Sequence, residues 1–218
     1  MQDNLRTKLG ISGLLLMYVG NLEVYQGIDL LLESFALVLE VAQTDLVIIG
    51  GNTSDIQKYQ KKARCLSIDR KVHFLGPKPV EDLAVYLSQA DILVSPRIKG
   101  KNTPMKIYSY LDSGKAVLAT DLPTHTQLLD SRVAMLAEPY PEMFSKGMLR
   151  LIEDETLRQK QGTAGKKLSE EKFSYAAFCE KLNELFDWLQ TEIEQESKLV
   201  ASKAAVSPKP GGFLKKIA

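Results

Sequence analysis

Histidine and cysteine are almost missing from this sequence, with two of each in 218 residues. Cys65 and Cys179 stand far apart in segments of helical pattern. That spacing offers neither a disulfide framework nor a cysteine metal cluster, and a reducing compartment fits. With only His73 and His125 beside them, no clustered ligand set for a metal is expected. His73 stands among apolar neighbours in a strand and reads as a satisfied core residue, whereas His125, in DLPTHTQLLD, sits where a loop can overhang a crevice and touch substrate. An excess of either charge is missing too. The 28 basic and 27 acidic residues leave +1, which gives no case for general nucleic-acid binding. No apolar run approaches the roughly 18 residues of a spanning helix, and MQDNLRTKLG is polar, so a cytoplasmic protein is expected. Also absent are G-x-S-x-G, the P-loop and G-x-G-x-x-G, so the hydrolase, NTPase and dinucleotide readings lack their signatures.

What is present is apolar sequence, 44% of the chain, enough for a sizeable core. Strand-like runs without alternation (14–19, 46–49, 71–75, 92–94, 116–119 and 133–136) are separated by helical stretches through the first 120 residues and followed by more. Runs apolar on both faces belong to parallel strands covered by helices. The expected fold is therefore α/β, a doubly wound, Rossmann-like parallel sheet of about six strands, with ligands bound beyond the carboxyl ends of the strands. Three helices are expected after the sheet, over 143–152, 154–172 and 174–189, the last burying Phe178, Leu182, Leu185 and Leu189 on one side.

The stretch 91–120 breaks local rules. After strand 92–94 a loop carries Arg97, Lys99 and Lys101 to Thr103-Pro104, which read as N-cap and first residue of a helix. Lys106 then falls in the first turn, where the helix dipole disfavours a cation by about 0.3–1 kcal/mol. No acidic residue lies between Ile92 and Leu111. Two readings follow: a solvated basic loop, or an anion site in which Lys106, with Arg97, Lys99 or Lys101, adds charge to a phosphate held at the helix N-terminus.

In order and spacing, MYVGNLEVYQGIDLLLESF, DLVIIGG, KVHFLGPKPVEDLAVYLSQADILVSP and NTPMKIYSYLDSGKAVLATDLPTH resemble the C-terminal, donor-binding lobe of the GT-B glycosyltransferases of family 4. The resemblance covers about 5–189. It implies metal-independent transfer from a nucleotide-diphosphate sugar, with no cofactor beyond that donor. Carried over, Gly20, Asn21, Gln26 and Gly27 would form the first donor loop, and Asn102, Thr103, Pro104, Met105 and Lys106 the helix start, with Arg97 beside them and Ser109 at the ribose. Many members have Arg and Lys where Asn21 and Gln26 stand, and two Glu where Lys101 and Ser109 stand. Lys106 and Arg97 can replace the missing charge, which describes a subfamily variant; a degenerate, non-catalytic nucleotide-binding or scaffold module is the alternative.

The resemblance also implies an acceptor lobe, expected here on a partner chain, without which no sugar transfer is expected. Apolar surface meant for that lobe should face water near the first loop and on the final helix. The expected organisation is an inter-lobe connection over 1–12, the donor-binding domain over 13–193, and a disordered basic tail over 194–218. The tail's lysines offer at most weak contact with an anionic membrane surface.

Overall fold

A computed structural model describes residues 4–205. They divide between Phe173 and Ser174 into two compact units.

The first unit is built on six parallel strands: β1 (Leu14–Val19), β2 (Thr44–Ile49), β3 (Val72–Gly76), β4 (Ile92–Ser95), β5 (Ala116–Thr120) and β6 (Met135–Ala137), in the order β3-β2-β1-β4-β5-β6. Strands without alternation are buried on both faces, because successive side chains point to opposite sides. Leu16 and Tyr18 enter one core with Leu46, Ile48 and Val94, while Leu15 and Met17 enter the other with Val47 and Leu93. The first core is closed by α2 (Ile28–Leu39), α3 (Thr53–Cys65) and α7 (Pro141–Glu153); α7 packs on α2 through Phe144, Met148 and Leu151. The second core is closed by α1 (Leu5–Leu9), α4 (Leu83–Ser88), α5 (Lys106–Asp112) and α8 (Glu155–Lys172), and α8 packs on α5. A four-residue helix, α6 (Pro123–Thr126), follows β5.

Two elements of this unit differ from expectation. The stretch expected as an inter-lobe connection carries a helix, α1, in which Asn4 Oδ1 accepts from Thr7 N and Gly10 ends the turn in the left-handed region at φ 66°. Leu5 is buried, and Arg6 pairs with Asp91 at 2.5 Å, fastening α1 to the start of β4. Helix α5 starts at Lys106 rather than at Pro104. Thr103 does not cap it: no side chain does, and the Thr103 hydroxyl accepts instead from Gln127 Nε2 at 2.7 Å. A tight turn replaces the expected cap, with Ile107 N bonded to Pro104 O and Tyr108 N to Met105 O.

The second unit is one long helix, α9 (Tyr175–Ala205), which runs past the expected start of the tail at 194. Phe178, Leu182, Leu185 and Leu189, expected to be buried, are exposed, as are Phe186 and Trp188. Among the described residues of this unit, no second element covers its apolar stripe. The Pro-Lys-Pro and Gly-Gly part of the expected tail lies outside the described residues.

Candidate functional site

The strand order reverses between β1 and β4, so the loops leaving these two neighbours open a crevice at the carboxyl edge, the ordinary ligand position of a doubly wound sheet. Both loops proposed from sequence meet there. Ile98 N donates to Tyr25 O at 3.0 Å, and Gly27, at φ 74°, lies so close to Pro96 that a Cβ would fall on its carbonyl oxygen. Only glycine permits that approach.

Lys106 joins the two loops. From the first position of α5 its amine reaches the β1 loop, donating to Gln26 Oε1 at 3.1 Å and lying 3.9 Å from the centre of the Tyr18 ring. A Cβ at Gly20, where φ is 147°, would stand 2.7 Å from the Lys106 Nζ. The amine thus has a neutral amide and a ring face beside it, and the neighbouring charge is another cation, Arg97. Burial first, and Arg97 second, bring its pKa down to about 7. Arg97 stacks over Tyr25, 5.2 Å from the ring centre, and its Nε donates to Lys99 O at 2.7 Å. An anion entering here would stabilise the charged amine and satisfy two converging cations.

The remaining sequence candidates separate into two groups. Gln26 and Gly27 are buried at the crevice, and Asn21 is fixed there by its carbonyl, which accepts from Tyr18 OH at 2.6 Å. Asn102 is held by its carbonyl, which accepts from Thr124 Oγ1 at 2.8 Å, and Ser109 lies half-buried one turn into α5. Thr103 and Pro104 belong to the turn before α5, and Met105 is exposed. Lys99 and Lys101 stay outside the Lys106 cluster. Val24 in the first loop and Met105 before α5 are both exposed.

His125 is a correction. It is fully buried on α6, with its ring between Ser95 and Thr120, so it does not overhang the crevice. Helix α6 turns it inward beneath the end of β4. His73 is satisfied as expected, 2.9 Å from buried Asp45, which also takes Lys71 at 3.1 Å. Sequence reasoning missed the tyrosines. Tyr18 lines the amine site, and Tyr110 OH accepts from Val19 N at 2.9 Å, capping β1 where the crevice begins. Burial pushes the pKa of both phenols upward. A tyrosine at the end of an apolar strand, just before a glycine loop, was the available signal. Also missed were Glu23 and Asp55, two carboxylates lining a hollow of about 380 Å³ between the β1 and β2 exits with Asn21 and Lys78. Among the described residues, no three His, Cys, Asp or Glu side chains gather to hold a metal ion, and no helix is long and apolar enough to cross a membrane.

The chain is thus a doubly wound α/β sheet with a desolvated lysine at its switch point. The chain belongs to the group 1 glycosyl transferases, whose family pattern matches residues 1–168. It is 25% identical over 176 residues to the D-inositol 3-phosphate glycosyltransferase of Corynebacterium diphtheriae, covering 78% of this chain and 41% of that protein. Among solved structures it superposes with a TM-score of 0.75 on Anabaena HepE in complex with UDP-glucose, at 16% identity, covering 84% of this chain and 51% of that one. It superposes at 0.69 on the C-terminal domain of a group 1 glycosyl transferase (LpcC) from Francisella tularensis, at 21% identity, covering 80% of this chain and 93% of that domain. These structures establish the GT-B C-terminal fold. The chain spans under half the length of the curated relatives it matches.

Proposed function

We propose that this chain is the donor-binding half of a glycosyltransferase: it holds a nucleotide-diphosphate sugar in the β1–β4 crevice, and an acceptor lobe on another chain completes the reaction. The observation that carries the reading is Lys106, whose buried amine, among the described residues, meets Gln26, the Tyr18 ring and the cation Arg97. A diphosphate between the β1 loop and the start of α5 would accept from that amine and from backbone N–H groups of the preceding turn. The family of the chain and the UDP-glucose bound by HepE support the ligand class.

Calorimetry with UDP-, GDP- and ADP-sugars tests it. Lys106→Ala should weaken binding by about 1.5–3 kcal/mol, the value of a hydrogen bond to a charged group. Lys99→Ala and Lys101→Ala should change it little, since these side chains stand outside the cluster. If no nucleotide sugar binds, or if Lys106→Ala binds as tightly as the parent, the reading is lost.

A second reading, a nucleotide-binding module without catalysis, is favoured by Lys101 and Ser109, which stand where the resemblance implies two glutamates. It keeps the same binding result, and sugar transfer in the presence of an acceptor lobe separates the two.

A further inference from the structure

Ser95 closes β4 and Arg97 lies two residues on in the basic loop, and one histidine–threonine pair holds both. Ser95, Thr120, Thr124 and His125 are all buried. His125 Nε2 lies 2.9 Å from Ser95 Oγ, and its Nδ1 lies 2.9 Å from Thr120 Oγ1 and 3.0 Å from the Thr120 carbonyl oxygen. Thr120 Oγ1 in turn donates to the Arg97 carbonyl at 2.6 Å.

The acceptors decide where the protons sit. A carbonyl can only accept, so the Thr120 hydroxyl hydrogen points at Arg97 O, and both Thr120 oxygens are left as acceptors for the imidazole. Nδ1 therefore carries the ring hydrogen, Nε2 is bare, and Ser95 donates to it. This arrangement satisfies every polar atom of the group with a neutral ring, the condition for a buried network to rigidify its surroundings. Burial above all, then the nearby Arg97 and Lys106, bring the His125 pKa down to about 4, against the bond to Thr120 that raises it. Two further bonds extend the same support. Thr124 Oγ1 donates to Asn102 O at 2.8 Å, and Gln127 Nε2 reaches Lys101 O at 3.2 Å. Segment 120–127 thus holds the basic loop by its carbonyls at 97, 101 and 102.

We infer that His125 is a positioning residue: through Ser95 and Thr120 it fixes the turn from Ser95 to Arg97, and so sets Pro96 against Gly27, the contact that joins the two loops of the anion site. Its effect on ligand binding rests on the donor-binding reading; its proton arrangement does not.

Nitrogen-15 NMR of the full chain, with His73→Gln to assign the two rings, reads the arrangement directly. Nδ1 should be protonated and Nε2 bare from about pH 8 to about pH 5, below the range where an ordinary histidine charges. An Nε2–H tautomer, or titration near the ordinary value, overturns the inference whatever the ligand does. Calorimetry with UDP-glucose, GDP-mannose and ADP-glucose reads the consequence. Thr120→Val and His125→Leu should each weaken binding about five- to tenfold, the scale of one hydrogen bond. Thr120→Ser, which keeps the hydroxyl, should bind like the parent, and His125→Asn, which keeps a donor near the Nδ1 position, should fall between. Val117→Ala, a buried change in β5 away from the loop, is the control for lost stability. Equal binding by parent, Thr120→Val and Thr120→Ser overturns the positioning role, as does a loss in Val117→Ala matching that in Thr120→Val. A parent that binds no nucleotide sugar overturns the donor-binding reading instead and removes the functional half of the inference, while the NMR result still decides the tautomer.

Discussion

Lys106 carries its charge to a place where, among the described residues, no carboxylate pairs with it, and pH should expose the cost. Its pKa falls from 10.5 to about 7 in the folded, ligand-free chain. Across that interval the folded chain binds fewer protons than the unfolded one, so the contribution of Lys106 to stability rises with pH through the window and is lost as pH falls toward 7. Lys106→Met removes the effect: its gain in melting temperature over the parent should be largest at about pH 7 and below, and should shrink toward pH 10. A ligand anion works in the opposite sense because it favours the charged amine. UDP-glucose, whose diphosphate has no proton to lose near neutrality, should bind more weakly as pH rises above 7, approaching about tenfold per unit. Lys106→Arg, always charged, should flatten that slope; a parent profile already flat over this range would refute the account. The oddity of Lys106 was legible in sequence, because a cation in a first helical turn contradicts the dipole. Where its amine goes was not legible. The contact with Gln26 spans 80 residues and exists only because β1 and β4 are neighbours.

Elements were legible where one local signal governs them and less so where a distant partner competes. β1, β2 and β5 lie where their unbroken apolar runs place them, since burial on both faces leaves one solution. The start of α5 lies at Lys106 rather than at Pro104, and the Thr103 hydroxyl, read as its cap, meets Gln127 after α6 instead. The glycines of α8 show the same dependence. Read alone, Gly162 and Gly165 weaken a helix by about 1 kcal/mol each. In the fold they let α8 approach the β5 side of the sheet: a Cβ at Gly162 would fall on the Gly114 carbonyl oxygen, whereas one at Gly165 would meet the Leu111 Cδ2 at 3.0 Å. Backbone cannot yield as a leucine methyl can. Gly162→Ala should therefore destabilise the chain by about 1–3 kcal/mol despite alanine's better helix propensity, while Gly165→Ala should stay within about 1 kcal/mol of the parent. Urea unfolding of the two variants decides it, and equal midpoints would show that α8 can shift without cost.

At the scale of the whole molecule, the described residues supply one sheet with a crevice at its carboxyl edge and, in the second unit, a helix with exposed apolar residues. Sugar transfer needs donor and acceptor held in a single geometry, a requirement that accounts for much of the rate an enzyme achieves. The curated relatives carry their named activities on chains more than twice as long as the matched portion. We therefore expect residues 1–218 alone to bind a nucleotide sugar without transferring it, and an added acceptor lobe to restore transfer. The exposed residues of α9 make the same expectation visible without an assay. Trp188, the single tryptophan of the chain, is 55% exposed, so its emission should be red-shifted and open to acrylamide. Its neighbours Leu185, Phe186 and Leu189 are exposed as well, and contiguous apolar surface of this kind marks an interaction site. The helix from Tyr175 to Ala205 carries six acidic against three basic residues, a balance that disfavours an anionic membrane as its cover and leaves a protein surface as the better match. Binding of an acceptor lobe should shift the Trp188 emission to shorter wavelength and shield it from acrylamide. Turnover by the isolated chain, or transfer restored by a lobe that leaves the Trp188 emission unmoved, would separate α9 from lobe assembly and return its apolar side to some other partner.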